Sequence, residues 1–131
     1  MSENHVVDLT ETYLSLGQTG KIETIRGGDE FWSLPAAEIE RYGARWFVSE
    51  YVFERDWPTW EMHPNGEEIV YLLSGALDLI LEKDDARETL ELRSKGLVIV
   101  PRGTWHTAKI IETSRVMVVT LGSETQVRQA V

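Results

Sequence analysis

The chain has 131 residues, 42% of them apolar and 27% charged, a composition suited to one folded unit rather than a disordered chain. Thirteen Lys and Arg against 22 Asp and Glu leave a formal charge of −9. That argues against a nucleic-acid partner and against docking on an anionic membrane, since both need a basic footprint. With no cysteine, disulfides, thiolate nucleophiles and Cys-ligated zinc are excluded.

In chain order, the opening Met1-Ser2-Glu3-Asn4-His5 lacks the basic start and apolar core of a signal peptide. The longest apolar runs, Ile69 to Leu73 and Leu97 to Val100, fall far short of the roughly 18 residues of a membrane span. The cytoplasm is the expected compartment. Val6 to Leu9 reads as an edge strand. Turn signals follow at Gly17 to Gly20 and at Gly27-Gly28-Asp29. The segment Ser33 to Gly43 reads as a helix of two or three turns, with Pro35 near its start and Gly43 as its closing cap.

From Trp46 onward the chain alternates between short β-rich runs and turns. The runs are Trp46 to Phe53, Glu68 to Leu73, Leu77 to Glu82, Thr89 to Leu92, Leu97 to Val100, Thr107 to Ile111 and Val116 to Leu121. The turns fall at Pro64-Asn65-Gly66, Ser74-Gly75, Lys83-Asp84-Asp85, Ser94-Lys95-Gly96 and Pro101-Arg102-Gly103. Short strands at this spacing predict an all-β sandwich or barrel. One domain over residues 1–131 is expected, with the barrel at about 46–121 and the N-terminal strands and helix before it.

Three histidines occur, His5, His63 and His106. Glu61 and His63 share a strand face by the period of two. After the Pro64-Asn65-Gly66 turn, Glu68 opens an apolar strand and shares its face with Val70 and Leu72. A carboxylate on a core-facing side needs a proton, a partner or a metal. His106 follows the Pro101-Arg102-Gly103 turn at the start of another strand. Two glutamates and two histidines on one spot would make a mixed N/O site for a divalent transition metal; without an ion they would form a hydrogen-bonded polar cluster.

These residues resemble the two motifs of the cupin superfamily. The first runs His, any residue, His, three or four residues, Glu, six residues, Gly; here Glu61-Met62-His63 is followed by four residues, Glu68, six residues and Gly75. The second centres on Pro, any, Gly, two residues, His, matched by Pro101-Arg102-Gly103-Thr104-Trp105-His106. Glu61 stands where the family has its first His, Gly96 is one residue closer to Pro101 than the pattern asks, and Ile110 stands where an Asn closes the motif.

The resemblance implies a double-stranded β-helix, the jelly-roll barrel of the cupins, with one short helix near residues 33–43 and often paired as a homodimer. By position His63, Glu68 and His106 match ligand positions, and Glu61 joins them as a candidate. The metal expected is Fe, Mn or Zn, and two carboxylates would offset its charge. The ligand expected is a small molecule inside the barrel, acted on by dioxygenase-like or isomerase/lyase-like chemistry. If Glu61 does not bind metal it is the candidate general base. The alternative is a non-catalytic metal- or ligand-binding sensor module.

Other residues carry blander expectations. Glu67 faces away from Glu68 as a rim charge, and His5 lies on the surface. Trp60 and Trp105 point away from the ligand face by parity. The remaining tryptophans fill the interior, and Arg102 is a solvated loop residue.

Overall fold

A computed structural model describes residues 6–130 of the chain, so the expectation for His5 lies outside the described residues. The first hairpin is β1 (Thr12–Leu16) with β2 (Ile22–Arg26). Two short helices follow, α1 (Asp29–Trp32) and α2 (Ala36–Gly43). Then come β3 (Trp46–Phe53), β4 (Thr59–Met62), β5 (Glu68–Lys83), β6 (Ala86–Arg93), β7 (Gly96–Val100), β8 (Trp105–Thr120) and β9 (Gln126–Gln129).

The long strands β5 and β8 organise the rest, because each serves two leaves of sheet. Residues 68–72 of β5 pair with residues 116–120 of β8 on one side and with β7 on the other. Residues 76–83 pair instead with the first half of β8 and with β6. One leaf therefore runs β2-β1-β3-β8-β5-β7 and the other β9-β4-β8-β5-β6, all antiparallel. Between them lies a core of Val70, Leu72, Leu77, Leu79, Leu81, Leu92, Val100, Ala108, Val116 and Val118. This is the all-β architecture that the strand spacing predicted, in the jelly-roll form that the motif resemblance implied.

The inward residues of β5 are even-numbered before Gly75 (68, 70, 72) and odd-numbered after it (77, 79, 81). A strand keeps one face inward across such a parity change only by inserting an extra residue. The register shifts between Leu72 and Leu77 are that insertion. Gly75 holds it at φ +97, where an added Cβ would lie 2.2 Å from Thr113 O. The Ser114 hydroxyl closes the bulge with bonds of 3.1 Å to Ala76 O and 2.8 Å to Glu112 O. Ser74-Gly75 is thus a bend inside one strand, not the turn its composition predicts. Likewise Thr107 to Ile111 and Val116 to Leu121 belong to a single bent strand, β8, which ends at Thr120.

Three smaller corrections concern the N-terminal part. Val6 to Leu9 is not an edge strand: the Asp8 carboxylate accepts from Thr10 N at 3.0 Å and Thr10 Oγ1 at 2.7 Å, and this side-chain turn wins over the apolar alternation. The helix expected at 33–43 is α2, begun by Pro35 as its N-cap, and α1 just before it is a further short helix that was not expected. Gly43 is the last residue of α2 rather than its cap. It is glycine for close approach, since a Cβ there would lie 2.8 Å from Ser123 N. The helices cover an aromatic cluster of Tyr13, Phe31 and Phe47. Among the described residues no helix is long and apolar enough to cross a membrane.

The two leaves differ in their outer faces. The β5–β6 leaf carries Asp78, Glu82, Arg87, Glu91, Arg93 and Lys109 outward, and Arg87 and Arg128 lie over the Trp60 ring at 4.8 and 5.1 Å. The other leaf is apolar. Ile99, Ile69, Val119, Val48 and Leu14 form one row across five strands, flanked by Leu97, Tyr71 and Met117 and by Trp46, Leu16 and Ile22. Its centre holds one ion pair, the buried Glu50 carboxylate with Arg115 Nε at 3.0 Å.

Gly75→Ala is expected to destabilise the fold by about 3 kcal/mol or more, because positive-φ strain adds to a backbone clash. Urea unfolding monitored by tryptophan fluorescence checks this. A loss under about 1 kcal/mol would mean the bend relaxes without the glycine.

Candidate metal centre

Strand pairing brings the site together. Glu61 on β4 is directly opposite His106 on β8, so both side chains enter the interior, and His63 lies two residues beyond Glu61. The turn after His63 returns the chain as β5, which places Glu68 on the inner face beside Val70. The second turn is stitched to the first: Gly103 N donates to His63 O at 3.0 Å, and Thr104 N closes on Pro101 O at 3.2 Å.

His63, Glu68 and His106 are buried, and His106 is wholly inaccessible. His106 Nε2 lies 2.9 Å from Glu68 Oε1, and His63 Nε2 lies 3.2 Å from Glu68 Oε2. Glu61 Oε1 is 3.9 Å from His63 Nε2. Glu61, His63 and His106 each offer a ligand atom within 4.8 Å of the others. Despite these short separations, His63 Nε2, His106 Nε2 and Glu68 Oε1 make no hydrogen bond of acceptable geometry among the described residues. Three buried polar atoms thus converge without partners, which is costly unless something binds between them.

The other ring nitrogens are fixed. His106 Nδ1 lies 3.0 Å from Thr104 O, a carbonyl that can only accept, so this nitrogen carries a proton. His63 Nδ1 lies 2.7 Å from Thr125 Oγ1. That hydroxyl already donates to Gly122 O at 2.6 Å, so here too the ring must be the donor. Both neutral imidazoles are held as the Nδ1–H tautomer with the Nε2 lone pair turned inward. A hydrogen bond from Nδ1–H is what turns the Nε2 of a histidine toward a metal. The cupin motifs imply a resident divalent ion, and these orphaned donors fit one.

Electrostatics agree with the contact pattern. Burial pushes the Glu68 carboxyl up, but His106 and His63 outweigh it and bring it down to about 2. Burial pushes the Glu61 carboxyl up, and the Glu68 charge adds to that. Burial works against a charged His106, but the adjacent Glu68 prevails and raises it. In the ion-free protein a proton on Nε2 can sit where a cation otherwise would.

A cavity of about 1080 Å³ reaches Glu61, His63 and Glu68. Tyr51, Phe53 and Trp57 wall it, and Trp32 and Tyr42 contribute from the helices. The Trp57 ring centroid is 6.1 Å from that of His106. Its loop is pinned to β8 by Trp57 N to Ala108 O at 3.0 Å and by Ile110 N to Asp56 Oδ1 at 2.8 Å.

The four expected residues are therefore brought together as neighbours, Glu68 against both histidines and Glu61, His63 and His106 within ligand reach of one another, with Glu61 the least buried. Trp60 and Trp105 face outward, each with Arg128 over its ring, and Glu67 and Arg102 are exposed. Sequence reasoning missed Thr125, β9 and the position of Trp57. Thr125 is 62 residues from the histidine it orients, and no local pattern marks it.

No family model and no curated protein matches this sequence. Solved structures do. Oxalate oxidase in complex with the substrate analogue glycolate aligns with a TM-score of 0.53 at 19% identity, covering 62% of this chain and 45% of that one. The coconut allergen cocosin aligns at 0.54 and 17% identity, covering 64% and 23%. Peruvianin-I, a cysteine peptidase from Thevetia peruviana latex, aligns at 0.55 and 13% identity, covering 66% and 57%. The chain spans less than two thirds of each of these proteins. At such identities the likeness is one of fold alone, and that fold is the jelly roll that the motif resemblance implied.

Long-range ¹H–¹⁵N correlation spectra of the metal-free protein at alkaline pH are expected to show His63 and His106 as Nδ1–H tautomers. Thr125→Val should move His63 toward the Nε2–H form common in free histidine and leave His106 unchanged. An Nε2–H form for both rings in the wild type would refute the assignment.

Proposed function

We propose that this chain is a metal-dependent enzyme in which Glu61, His63, Glu68 and His106 hold one divalent Fe, Mn or Zn ion beside a small-molecule substrate in the aromatic cavity. The observation that carries the reading is the pair of Nε2 atoms aimed, without partners, at two carboxylates. Two imidazoles and two carboxylates suit these borderline ions and offset a double positive charge. A bound ion of this kind supplies the charge that polarises a substrate oxygen.

Between oxygenation and proton-moving isomerase or lyase chemistry, the chain favours the second, because Glu61 touches both the donor cluster and the cavity. A carboxylate so placed can bind the ion loosely and move a proton on the substrate. The large cavity beside the donors supports substrate turnover over the sensor alternative, which calls for a closed coordination shell. A cytoplasmic setting belongs to this reading: a chain without cysteine draws nothing from an oxidising compartment.

The same reading includes a homodimer formed through the apolar outer leaf. Ile99, Leu97, Ile22 and Trp46 there are 56%, 51%, 57% and 40% exposed, a patch of the kind that marks an interface. Six strands about 4.8 Å apart and rows about 3.4 Å per residue give roughly 600 Å² of sheet, near the ~800 Å² per partner of a standard interface. A second copy is the favoured occupant on charge grounds. Two chains of −9 repel over most of their surfaces but can meet where the only central charges, Glu50 and Arg115, are already paired.

Protein purified without added metal should carry about one divalent ion per chain by elemental analysis. His106→Ala should lower metal affinity by at least tenfold, as expected for lost ligation, and Glu61→Gln should retain the ion. Loss of metal in Glu61→Gln would make Glu61 an obligate ligand and remove its proton-transfer role.

Light scattering should give twice the chain mass for the wild type and one chain mass for Leu97→Glu/Ile99→Glu with circular dichroism unchanged. A monomeric wild type would overturn the pairing.

A further inference from the structure

We propose that the cavity selects a ring-bearing small molecule that carries a positive charge, of the arylalkylamine class, and rejects carboxylates. This deepens the functional reading above and rests on its assignment of the cavity as the substrate site.

The walls favour a flat ring. Tyr51 and Phe53 stack at 5.7 Å, Phe53 meets Trp57 at 5.4 Å, and Trp57 in turn meets His106. This aromatic track leads from the cavity wall to the donor cluster. Trp32 lines the same cavity yet is 52% exposed, a large ring left open where an incoming molecule would pass.

Charge then separates one ring-bearing class from another. Among the described residues that line the cavity there is no lysine, and the single arginine, Arg55, is exposed. Glu61 and Glu68 offset a bound divalent ion. Glu40, Glu54 and Asp56 remain against Arg55. Glu40 accepts from Ser123 Oγ at 3.0 Å and Asp56 from Ile110 N, whereas Glu54 has no ion-pair partner among the described residues. The surplus is negative and lies beside π faces, which themselves attract cations. A carboxylate ligand would find no lysine in the walls and only the exposed Arg55, which three acids outnumber.

The test is calorimetric titration of the metal-loaded protein at low ionic strength with 2-phenylethylamine, 2-phenylethanol and phenylacetate. The amine should bind tightest, about tenfold or more above phenylacetate, with the alcohol between. Trp32→Ala should weaken the amine about threefold or more, and Glu54→Lys should narrow the gap between amine and carboxylate. Phenylacetate or the alcohol binding as well as the amine, or no binding by the amine, would overturn the proposal, as would indifference to both substitutions. Elemental analysis of the same samples separates the two readings. A preparation that binds no ion yet prefers the amine sinks the metal centre alone; a loaded preparation that prefers the carboxylate sinks the substrate class alone.

Discussion

A carboxylate in a protein interior is tolerated only when its surroundings replace water, and the interior of this barrel is built around that requirement. Glu68 opens β5, the strand that supplies much of the apolar core, and its two oxygens each face an imidazole. Removing either histidine would leave a buried charge short of a partner, at a cost of several kcal/mol. The histidines are constrained in turn, because Thr104 and Thr125 hold their Nδ1 atoms and fix the direction of Nε2. Electrostatic need and ligand geometry are thus one constraint: the cluster that keeps Glu68 charged is also preorganised to exchange protons for a cation.

The bend in β5 serves this cluster. A flat strand of sixteen residues could not send 68, 70 and 72 and then 77, 79 and 81 to the same interior. The bulge at Gly75 lets one strand serve both leaves, paired on two sides in each. The same construction leaves two unlike outer faces. On one, arginines cover the tryptophans and alternate with acids, as suits water; on the other, apolar rows run across the leaf around the single Glu50–Arg115 pair at its centre.

Much of this was legible in the sequence, and the reasons are local. Period-two spacing put Glu61 and His63 on one face, and the two turns placed Glu68 and His106 at strand starts. What escaped was whatever depends on distant pairing. Ser74-Gly75 has the composition of a turn, and only its partners on β8 show a bulge. Val6 to Leu9 has the β-prone composition of an edge strand, but the Asp8 side chain takes the backbone of Thr10 and turns the chain. Thr125 and β9 lie beyond the second motif in a segment of weak patterning, yet β9 pairs with β4 and Thr125 fixes His63. Trp57 is one of five tryptophans, and composition alone assigns each of them equally well to the core.

Glu61 is where this chain departs from the motif, and the consequences reach beyond the ion. An imidazole at that position would leave one carboxylate facing a divalent cation, so the centre would stay positive and attract anions. In the proposed centre, Glu61 and Glu68 together would offset a divalent charge, and the acids at the rim would then set the sign of the field in the cavity. On the proposed reading, one substitution would change both the charge of the centre and the class of molecule drawn toward it. Glu61 is also the donor least enclosed by its neighbours, with 39% of its side chain open, whereas Glu68 is locked between two rings. Two residues of the same type are thereby separated by their surroundings: two imidazoles hold Glu68 as a charge, whereas burial and the Glu68 charge push Glu61 up, which suits the proton-moving role proposed for it.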